Sequence, residues 1–148
     1  MQQVTPGPET TRAFRDALGR YATGVTVVTT QSAIGPLGIT ANSFASVSLD
    51  PPLVLWSPAR ASRRFRAFAE AEDFAIHVLG AEQEPLCRRF SRDGTAFDGL
   101  DWQEGAGRTP LIAGCLARFE CRTEARHDGG DHLIVVARVP RASWRAGA

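Results

Sequence analysis

The last third of the chain alternates apolar and polar positions in a way that predicts a long β-hairpin. Within Leu116 to Arg126, small and apolar side chains occupy one set of alternate positions and charged side chains occupy the other. This is the period-two pattern of a half-buried strand. Asp128 to Asp131 contains two glycines and predicts the turn, and His132 to Val139 returns as the second strand.

Shorter apolar runs, bounded by turn residues, predict further strands. Val25 to Thr30 consists of Val and Thr only, which favours a strand, and Gly35-Pro36 turns the chain back after it. Because proline cannot donate to a strand ladder, Pro51-Pro52 must separate two strands. The strands predicted before the long hairpin are Val25 to Thr30, Leu37 to Phe44, Ala45 to Ser48, Leu53 to Trp56 and Phe74 to Leu79.

Helical spacing of apolar residues predicts three short helices beside these strands. In the first helix, apolar side chains recur at positions i, i+3, i+4 and i+7 after an N-cap at Thr10 or Thr11. The predicted helices follow this N-cap, cover the basic segment from Arg60 to Ala69, and run from Glu82 to Phe90.

Length and composition indicate a single globular domain. At 148 residues, 43% of them hydrophobic, the chain can bury a sizeable core but leaves no room for a second domain. Residues 1–9 contain two prolines and a glycine and predict a flexible lead-in, and residues 10–148 form the domain. A net charge of +1 argues against nucleic acid or an anionic membrane as the partner and favours small molecules or other proteins.

The cysteines and the start of the chain bear on its compartment. Cys87, Cys115 and Cys121 are odd in number and lack any Cys-x-x-Cys spacing, which predicts buried free thiols and suits a reducing cytoplasm. No apolar run approaches the roughly 20 residues of a membrane span, and residues 1–10 lack the basic start and apolar core of a signal peptide. We therefore expect an unexported, cytoplasmic protein.

The densest polar stretch lies between two apolar strands, from Gly38 to Pro52. Thr40, Asn42 and Ser43 bring hydroxyl and amide groups beside a glycine that permits close approach of the backbone. A buried anion needs such donors, so the stretch is a candidate phosphate site. A polar turn that only joins two strands explains the same residues, because Ser, Asn and Gly are ordinary loop residues.

Three motifs together resemble the flavin reductase family. They are, in chain order, ATGVTVVTT at 22–30, GITANSFASVSLDPPL at 38–53 and GDH at 130–132. Similar motifs occur in that family in the same order and at comparable spacing. The resemblance implies an FMN-binding split barrel, which is a mostly β, antiparallel Greek-key barrel of about six strands with small flanking helices. It also implies reduction of FMN or FAD by NADH or NADPH, often for a separate monooxygenase.

The same resemblance assigns the flavin contacts. Family members often carry Thr where Arg64 stands here, and a guanidinium can bind phosphate bidentately in place of that hydroxyl. A solvated helix face is the other explanation of this basic segment, and core packing is the ordinary role of Trp102, which could instead cover the flavin ring. By resemblance, the flavin-binding residues are Gly38, Thr40, Ala41, Asn42, Ser43, Ser57, Ser62, Arg63, Arg64, Arg89 and Phe90.

Two histidines need separate interpretation. By resemblance, His132 of the GDH motif borders the flavin and the nicotinamide and acts in catalysis by placing the nicotinamide; a backbone contact that caps the hairpin is the alternative. His77 lies in an apolar strand where relatives often have Asn, and it is either a hydrogen-bonded structural residue or a functional one. Residues 127–132 contain two His and two Asp, but no further ligands recur at a recognised spacing, so we predict no metal site.

The remaining expectations concern cofactor, assembly and activity. No G-x-G-x-x-G motif follows a strand, so a Rossmann domain is excluded and NAD(P)H must share the flavin cleft. Family members pair, so we expect a symmetric homodimer. They usually continue past the strand ending near Val139, and if the added segment closes the nicotinamide side we expect either weak activity here or a shortened chain. A flavin-binding module without turnover, and an oxidase or oxygenase of a small organic substrate, remain as alternatives.

Overall fold

The computed structural model describes residues 1–21 and 23–146. Short 3₁₀ turns cover Ala81–Gln83 and Ala106–Arg108. The helices are α1 (Thr11–Leu18), α2 (Phe65–Glu70) and α3 (Glu84–Arg92). The strands are β1 (Thr26–Ser32), β2 (Gly35–Ala41), β3 (Ala45–Leu49), β4 (Pro52–Trp56), β5 (Asp73–Val78), β6 (Trp102–Glu104), β7 (Pro110–Ile112), β8 (Ala117–Gly129) and β9 (His132–Trp144).

Seven strands form one antiparallel sheet, in the order β2-β1-β5-β8-β9-β4-β3. Its edge strands, β2 and β3, follow each other in the chain and are joined by residues 42–44. We call this junction the seam. The predicted mostly β, antiparallel architecture with small flanking helices is confirmed. The main sheet has seven strands rather than about six, and β6 and β7 pair separately as a small hairpin.

The long hairpin predicted near the end of the chain forms, with a tight turn at Gly130-Asp131 between β8 and β9. The side chain of Cys121 is buried, while its neighbours Arg122 and Glu124 are exposed, as the alternating pattern predicts. Two irregularities in the β8–β9 register, one on each side of Thr123, shift the pairing. Such shifts are how a strand bends so that a sheet can curve. The β1–β2 hairpin is likewise confirmed, but its turn lies at Ala33-Ile34. The predicted turn residues Gly35 and Pro36 instead begin β2, where they pair with Ser32 and Gln31.

The core consists of two clusters on the main sheet. In the larger one, Trp56 meets the ring of Phe68 edge to face, with the ring centroids 5.4 Å apart. In the smaller one, the Phe97 ring packs between Phe90 and Trp102, at 5.0 Å and 5.3 Å. Trp102 therefore packs in a core. The predicted burial of the free thiols holds for Cys121, whose pKa burial raises to about 12, whereas the other two cysteines are partly exposed.

His77 is fully buried and joins three strands. Its Nδ1 lies 3.0 Å from the carbonyl oxygen of Val27 on β1, and its Nε2 accepts the amide N–H of Ile112 on β7 at 2.9 Å. Because Nε2 accepts, the ring proton belongs on Nδ1 and the imidazole is neutral. Burial lowers the pKa of His77 to about 4. These contacts fit the structural alternative for His77.

Helix α1 forms after Thr10, as predicted, but without a side-chain cap. The Thr10 hydroxyl instead donates to the carbonyl of Thr5 at 2.8 Å. The apolar positions of the helix, Phe14 and Leu18, stay exposed, as does Tyr21. In the described ranges 1–21 and 23–146, no helix has the length and apolar character needed to cross a membrane.

Candidate functional site

The seam is tied to the segment that follows β4. The Ser43 hydroxyl oxygen accepts the amide N–H of Ser57 at 2.9 Å, which fixes the loop between the two edge strands against the end of β4. Asn42, beside Ser43, is exposed. Ala41 ends β2 and accepts the Thr26 hydroxyl on its carbonyl at 2.8 Å. The predicted residues Asn42, Ser43 and Ser57 therefore lie together at the seam.

The same segment runs beside the turn of the long hairpin. Ala59 forms an isolated bridge with His132, and the amide of Leu133 donates to the Pro58 carbonyl at 3.0 Å. The amide of Arg60 donates to the Asp131 carbonyl at 2.9 Å. His132 is thereby brought next to residues 57–60, more than 70 positions earlier in the chain. The GDH motif at 130–132 therefore contacts the segment that follows the motif at 38–53.

His132 presents a partly exposed imidazole at this place, with 44% of its side chain accessible. Its Nδ1 lies 2.8 Å from Oδ1 of Asp131 and can donate to that carboxylate. The hydrogen bond from His132 holds the pKa of Asp131 below its usual range. The imidazole is therefore oriented by a carboxylate while its Nε2 remains able to engage a ligand.

Arg60 contacts the turn more extensively than its local sequence suggests. Its Nε donates to the carbonyl of Gly130 at 2.9 Å, and its Nη2 donates to Oδ1 of Asp128 at 2.8 Å. The hydrogen bond from Arg60 lowers the pKa of the Asp128 carboxyl. The basic run from Arg60 onward indicated solvent or an anion as the neighbour of this side chain. Nothing in the local sequence pointed to a turn 68 positions away.

Two further predicted residues, Gly38 and Thr40, lie on β2 where it rests on α3. A Cβ atom at Gly38 would approach the Phe90 ring to 2.6 Å, so glycine is required here by helix packing. The Thr40 hydroxyl donates to the Cys87 carbonyl at 2.6 Å. Phe90 is fully buried against this strand. Gly38, Thr40 and Phe90 thus all serve the β2–α3 interface. The flavin contacts predicted for these three residues remain predictions.

Arg64 fastens this interface from outside. Its Nη1 donates to the carbonyls of Gly38 and Phe90, and its Nη2 donates to that of Ser91 at 3.2 Å. Partial burial lowers the pKa of Arg64. Most of the guanidinium donors are thus used on main-chain oxygens, including those at the end of α3. The phosphate contact predicted for Arg64 would have to use the guanidinium N–H groups that these main-chain bonds leave unused.

The other basic residues differ in how many donors they leave for a ligand. Arg89 donates to the carbonyls of Ala96 and Asp98 and so anchors the loop after α3. Arg63 is exposed and hydrogen-bonds to no other residue within the described parts of the chain. The Ser62 oxygen accepts the amide N–H of Arg64 at 3.1 Å, which leaves its hydroxyl proton available.

The available donors fit the phosphate of a flavin. They comprise the Asn42 amide, the hydroxyls of Ser57 and Ser62, and the Arg63 guanidinium, and they follow one another from the seam along the segment after β4. Neutral short donors with one guanidinium suit a phosphate. Arg63 and Arg64 also border a cavity of about 860 Å³ between the β1–β2 hairpin and α2. Of the four residues with available donors, Arg63 is the one that borders this cavity.

Two other features lie outside this arrangement. A cavity of about 540 Å³ lined by Asp73, Arg118 and Glu120 contains none of the predicted site residues. Among the residues that the structure describes, no three His, Cys, Asp or Glu side chains are grouped as a metal site.

Comparison with known proteins gives this site a family context. Residues 18–148 match the family model for the flavin reductase like domain. The chain is 61% identical over 142 residues to the FMN reductase (NADH) SmoA of Agrobacterium fabrum, covering 96% of this chain and 82% of that protein. It is 44% identical over 133 residues to HsaB of Rhodococcus jostii, the reductase subunit of a flavin-dependent monooxygenase, covering 89% and 68%.

A solved structure gives the same result. The NADH:FAD oxidoreductase SgcE6 of Streptomyces globisporus superposes with a TM-score of 0.87 at 37% identity, covering 97% of this chain and 88% of that one. SgcE6 has also been solved in complex with NAD and FAD fragments. Sequence and structure agree over nearly the whole chain, and the protein belongs to the flavin reductase-like family.

Proposed function

We propose that this protein uses NADH to reduce FMN or FAD and supplies the reduced flavin to a separate flavin-dependent monooxygenase. The observation that supports this most is the meeting of the seam, the segment after β4 and His132 in a chain of the flavin reductase-like family. The enzyme class is that of the named relatives, an FMN reductase (NADH) and an NADH:FAD oxidoreductase. The monooxygenase partner follows from relatives named as reductase subunits of such enzymes.

The residues divide into two tasks. Asn42, Ser57, Ser62 and Arg63 hold the flavin phosphate, because their side-chain donors have no other partner among the residues that the structure describes. His132, held by Asp131, places the nicotinamide. When bound, the flavin accepts a hydride from the reduced nicotinamide. This transfer needs no proton from the protein, so the contribution of the protein is binding and orientation.

A homodimer is part of the proposal. Apolar side chains are exposed in two places, around α1 and on the edge strand β3. Tyr21, just after α1, is 79% exposed, and Leu49 on β3 is 95% exposed. Exposed apolar groups and an unpaired strand edge favour association, and a second copy of the chain would cover them. Cytoplasmic localisation and use of NADPH stay predictions; free thiols at Cys87, Cys115 and Cys121 are compatible with a reducing compartment.

Steady-state kinetics with the purified chain test the function. We expect NADH absorbance to fall only when FMN or FAD is added, at a rate that saturates with flavin and with NADH. Flavin binding without NADH consumption would support a binding module instead. Consumption that depends on a small organic substrate rather than on added flavin would support an oxidase or oxygenase.

A further inference from the structure

We infer that Arg60 is a positioning residue for the proposed reduction, because it fixes the turn between β8 and β9 and, through that turn, His132. The inference rests on the proposed role of His132. Arg60 reaches three residues of the turn with three donors: its amide to the Asp131 carbonyl, its Nε to the Gly130 carbonyl and its Nη2 to the Asp128 carboxylate. These partners directly precede His132 in the chain.

The turn needs an external support because of its own sequence. Gly129 and Gly130 have no side chains to pack, and Gly130 adopts a positive φ of 77°. Residues 126–131 are all exposed, so no core contact holds the tip in place. Glycine has more conformations to lose than any other residue. Without Arg60, the turn and the imidazole that follows it would sample more orientations, which weakens binding of any ligand that needs one of them.

The Arg60 side chain is itself held by a contact with α2. Its guanidinium carbon lies 5.8 Å from the centre of the Phe65 ring, within the range of a cation–π contact. Its neighbour Ala59 forms the bridge to His132, and the Ser43–Ser57 hydrogen bond holds the start of the segment. Asp128 is held from the other side by the amide of Gly130 at 3.2 Å. These contacts therefore connect the seam, the segment after β4 and the turn between β8 and β9.

Arg60 could in principle serve as a direct ligand of phosphate, like Arg63 in the proposal above. Its position argues for the turn instead, since Nε and one Nη2 proton of the guanidinium are already committed to Gly130 and Asp128 at 2.8–2.9 Å. The ion pair with Asp128 is well exposed, with 40% and 83% of the two side chains accessible. Exposed pairs contribute little to global stability, so we expect Arg60→Ala to remain folded.

A double-mutant cycle on Arg60→Ala and His132→Ala tests the inference by steady-state kinetics. We expect Arg60→Ala to raise KM for NADH by about fivefold or more, to lower kcat less, and to leave the Kd for FMN within about twofold. In the His132→Ala background, Arg60→Ala should cause no further rise in KM. Arg60→Lys should recover part of the effect, because Lys keeps the charge beside Asp128 but cannot form the Nε bond to Gly130.

The matched control is Arg138→Ala. Arg138, with 50% of its side chain accessible, forms an ion pair with Glu124 on the same hairpin, at 3.1 Å, but away from the turn. We expect this variant to keep the KM of the parent. Asp128→Ala removes the main partner of Arg60 from an exposed position and should raise KM in the same direction as Arg60→Ala, whether or not the Arg60 variant folds.

The outcomes separate this inference from the proposed function. A parent protein that does not consume NADH with FMN would refute the proposed function. A parent that does so, with effects of Arg60→Ala and His132→Ala that add in full, would overturn the positioning role. Loss of FMN affinity in Arg60→Ala would assign the side chain to the flavin phosphate and would also overturn it. An unchanged KM for NADH in Asp128→Ala would likewise overturn the positioning role of Arg60.

Discussion

The imidazole of His77 accepts the amide N–H of Ile112 at 2.9 Å and so fastens the small β6–β7 hairpin to the main sheet. The same hairpin is held a second time by the Thr29 hydroxyl, which donates to the Pro110 carbonyl at 2.6 Å. Both contacts are buried. Buried hydrogen bonds of this kind are costly to leave unmade, so the neutral form of His77 is part of the folded state.

The stability of the protein should therefore fall between about pH 6.5 and about pH 4. The pKa of His77 is about 4 in the folded protein, whereas an unfolded histidine titrates near about 6.5. In this window the unfolded chain binds a proton that the folded chain does not, so stability is full above the unfolded pKa and is lost as the pH falls. We expect the free energy of unfolding, measured with urea, to be lower by about 2 kcal/mol at about pH 5 than above the unfolded pKa.

His77→Asn is the control for this prediction. Asn keeps one donor and one acceptor but does not titrate. The variant should show a flatter dependence of unfolding free energy on pH over the same window. An equal slope in parent and variant would exclude His77 as its cause.

Gly38→Ala should destabilise the protein by about 1–3 kcal/mol. The added methyl carbon would lie 2.6 Å from the Phe90 ring, which is fully buried and cannot move aside without shifting α3. Thermal or denaturant unfolding measures the change. Gly24→Ala is the matched control, since a Cβ atom there has no neighbour within 4 Å. Equal stability of the two variants would contradict the packing explanation.

Arg63→Ala should weaken FMN binding by about tenfold or more, because a charged donor to phosphate is lost. Arg141→Ala serves as the control for loss of charge: it lies on β9 far along the strand from His132 and has 75% of its side chain exposed. Fluorescence titration of FMN gives both dissociation constants. Parent-like affinity in Arg63→Ala would remove this residue from the proposed phosphate site.

His132→Ala should raise KM for NADH, with a smaller fall in kcat, and leave the affinity for flavin nearly unchanged. The imidazole is proposed to place the nicotinamide, so its loss affects binding of that substrate in the first place. His127→Ala is the matched control, because His127 is exposed on β8 of the same hairpin, opposite Ile134. If flavin affinity collapsed while KM for NADH held, the assigned role would be wrong.

Light scattering should report twice the chain mass of 16.0 kDa at micromolar concentration. Leu49→Asp places a charge on the exposed edge strand β3 and should shift this equilibrium towards monomer. Ile34→Asp at the turn between β1 and β2 is a control of similar chemistry on another surface. A monomeric parent that binds flavin tightly would contradict the proposed dimer.

The strands that were predicted correctly have a strong local signal. Alternation on either side of Cys121 identified β8, and the run of Val and Thr residues from Val25 identified β1. By contrast, β6 and β7 were missed because each has only three residues, too few to show a period. Buried hydrogen bonds from β7 to His77 and Thr29 help to hold so short a hairpin.

The site was predictable in outline but not in its contacts. Motif order brought Ser43 and His132 into consideration, and the structure joins their segments. The roles of Arg60 and Arg64 could not be inferred, because their partners, main-chain oxygens and the Asp128 carboxylate, lie far away in sequence. A basic side chain reveals its charge in the sequence, whereas the carbonyl that it binds can belong to any residue.

The β8–β9 hairpin also has a consequence for how the chain folds. Its two strands have 13 residues each and pair residues close in sequence, whereas β4 with β9 and β1 with β5 pair residues much farther apart. Closing short loops costs less entropy, so we expect this hairpin, together with β1–β2 and β3–β4, to form before the long-range pairings. Substitutions that weaken this hairpin, in its stem or at Gly130 with its positive φ, would then slow folding.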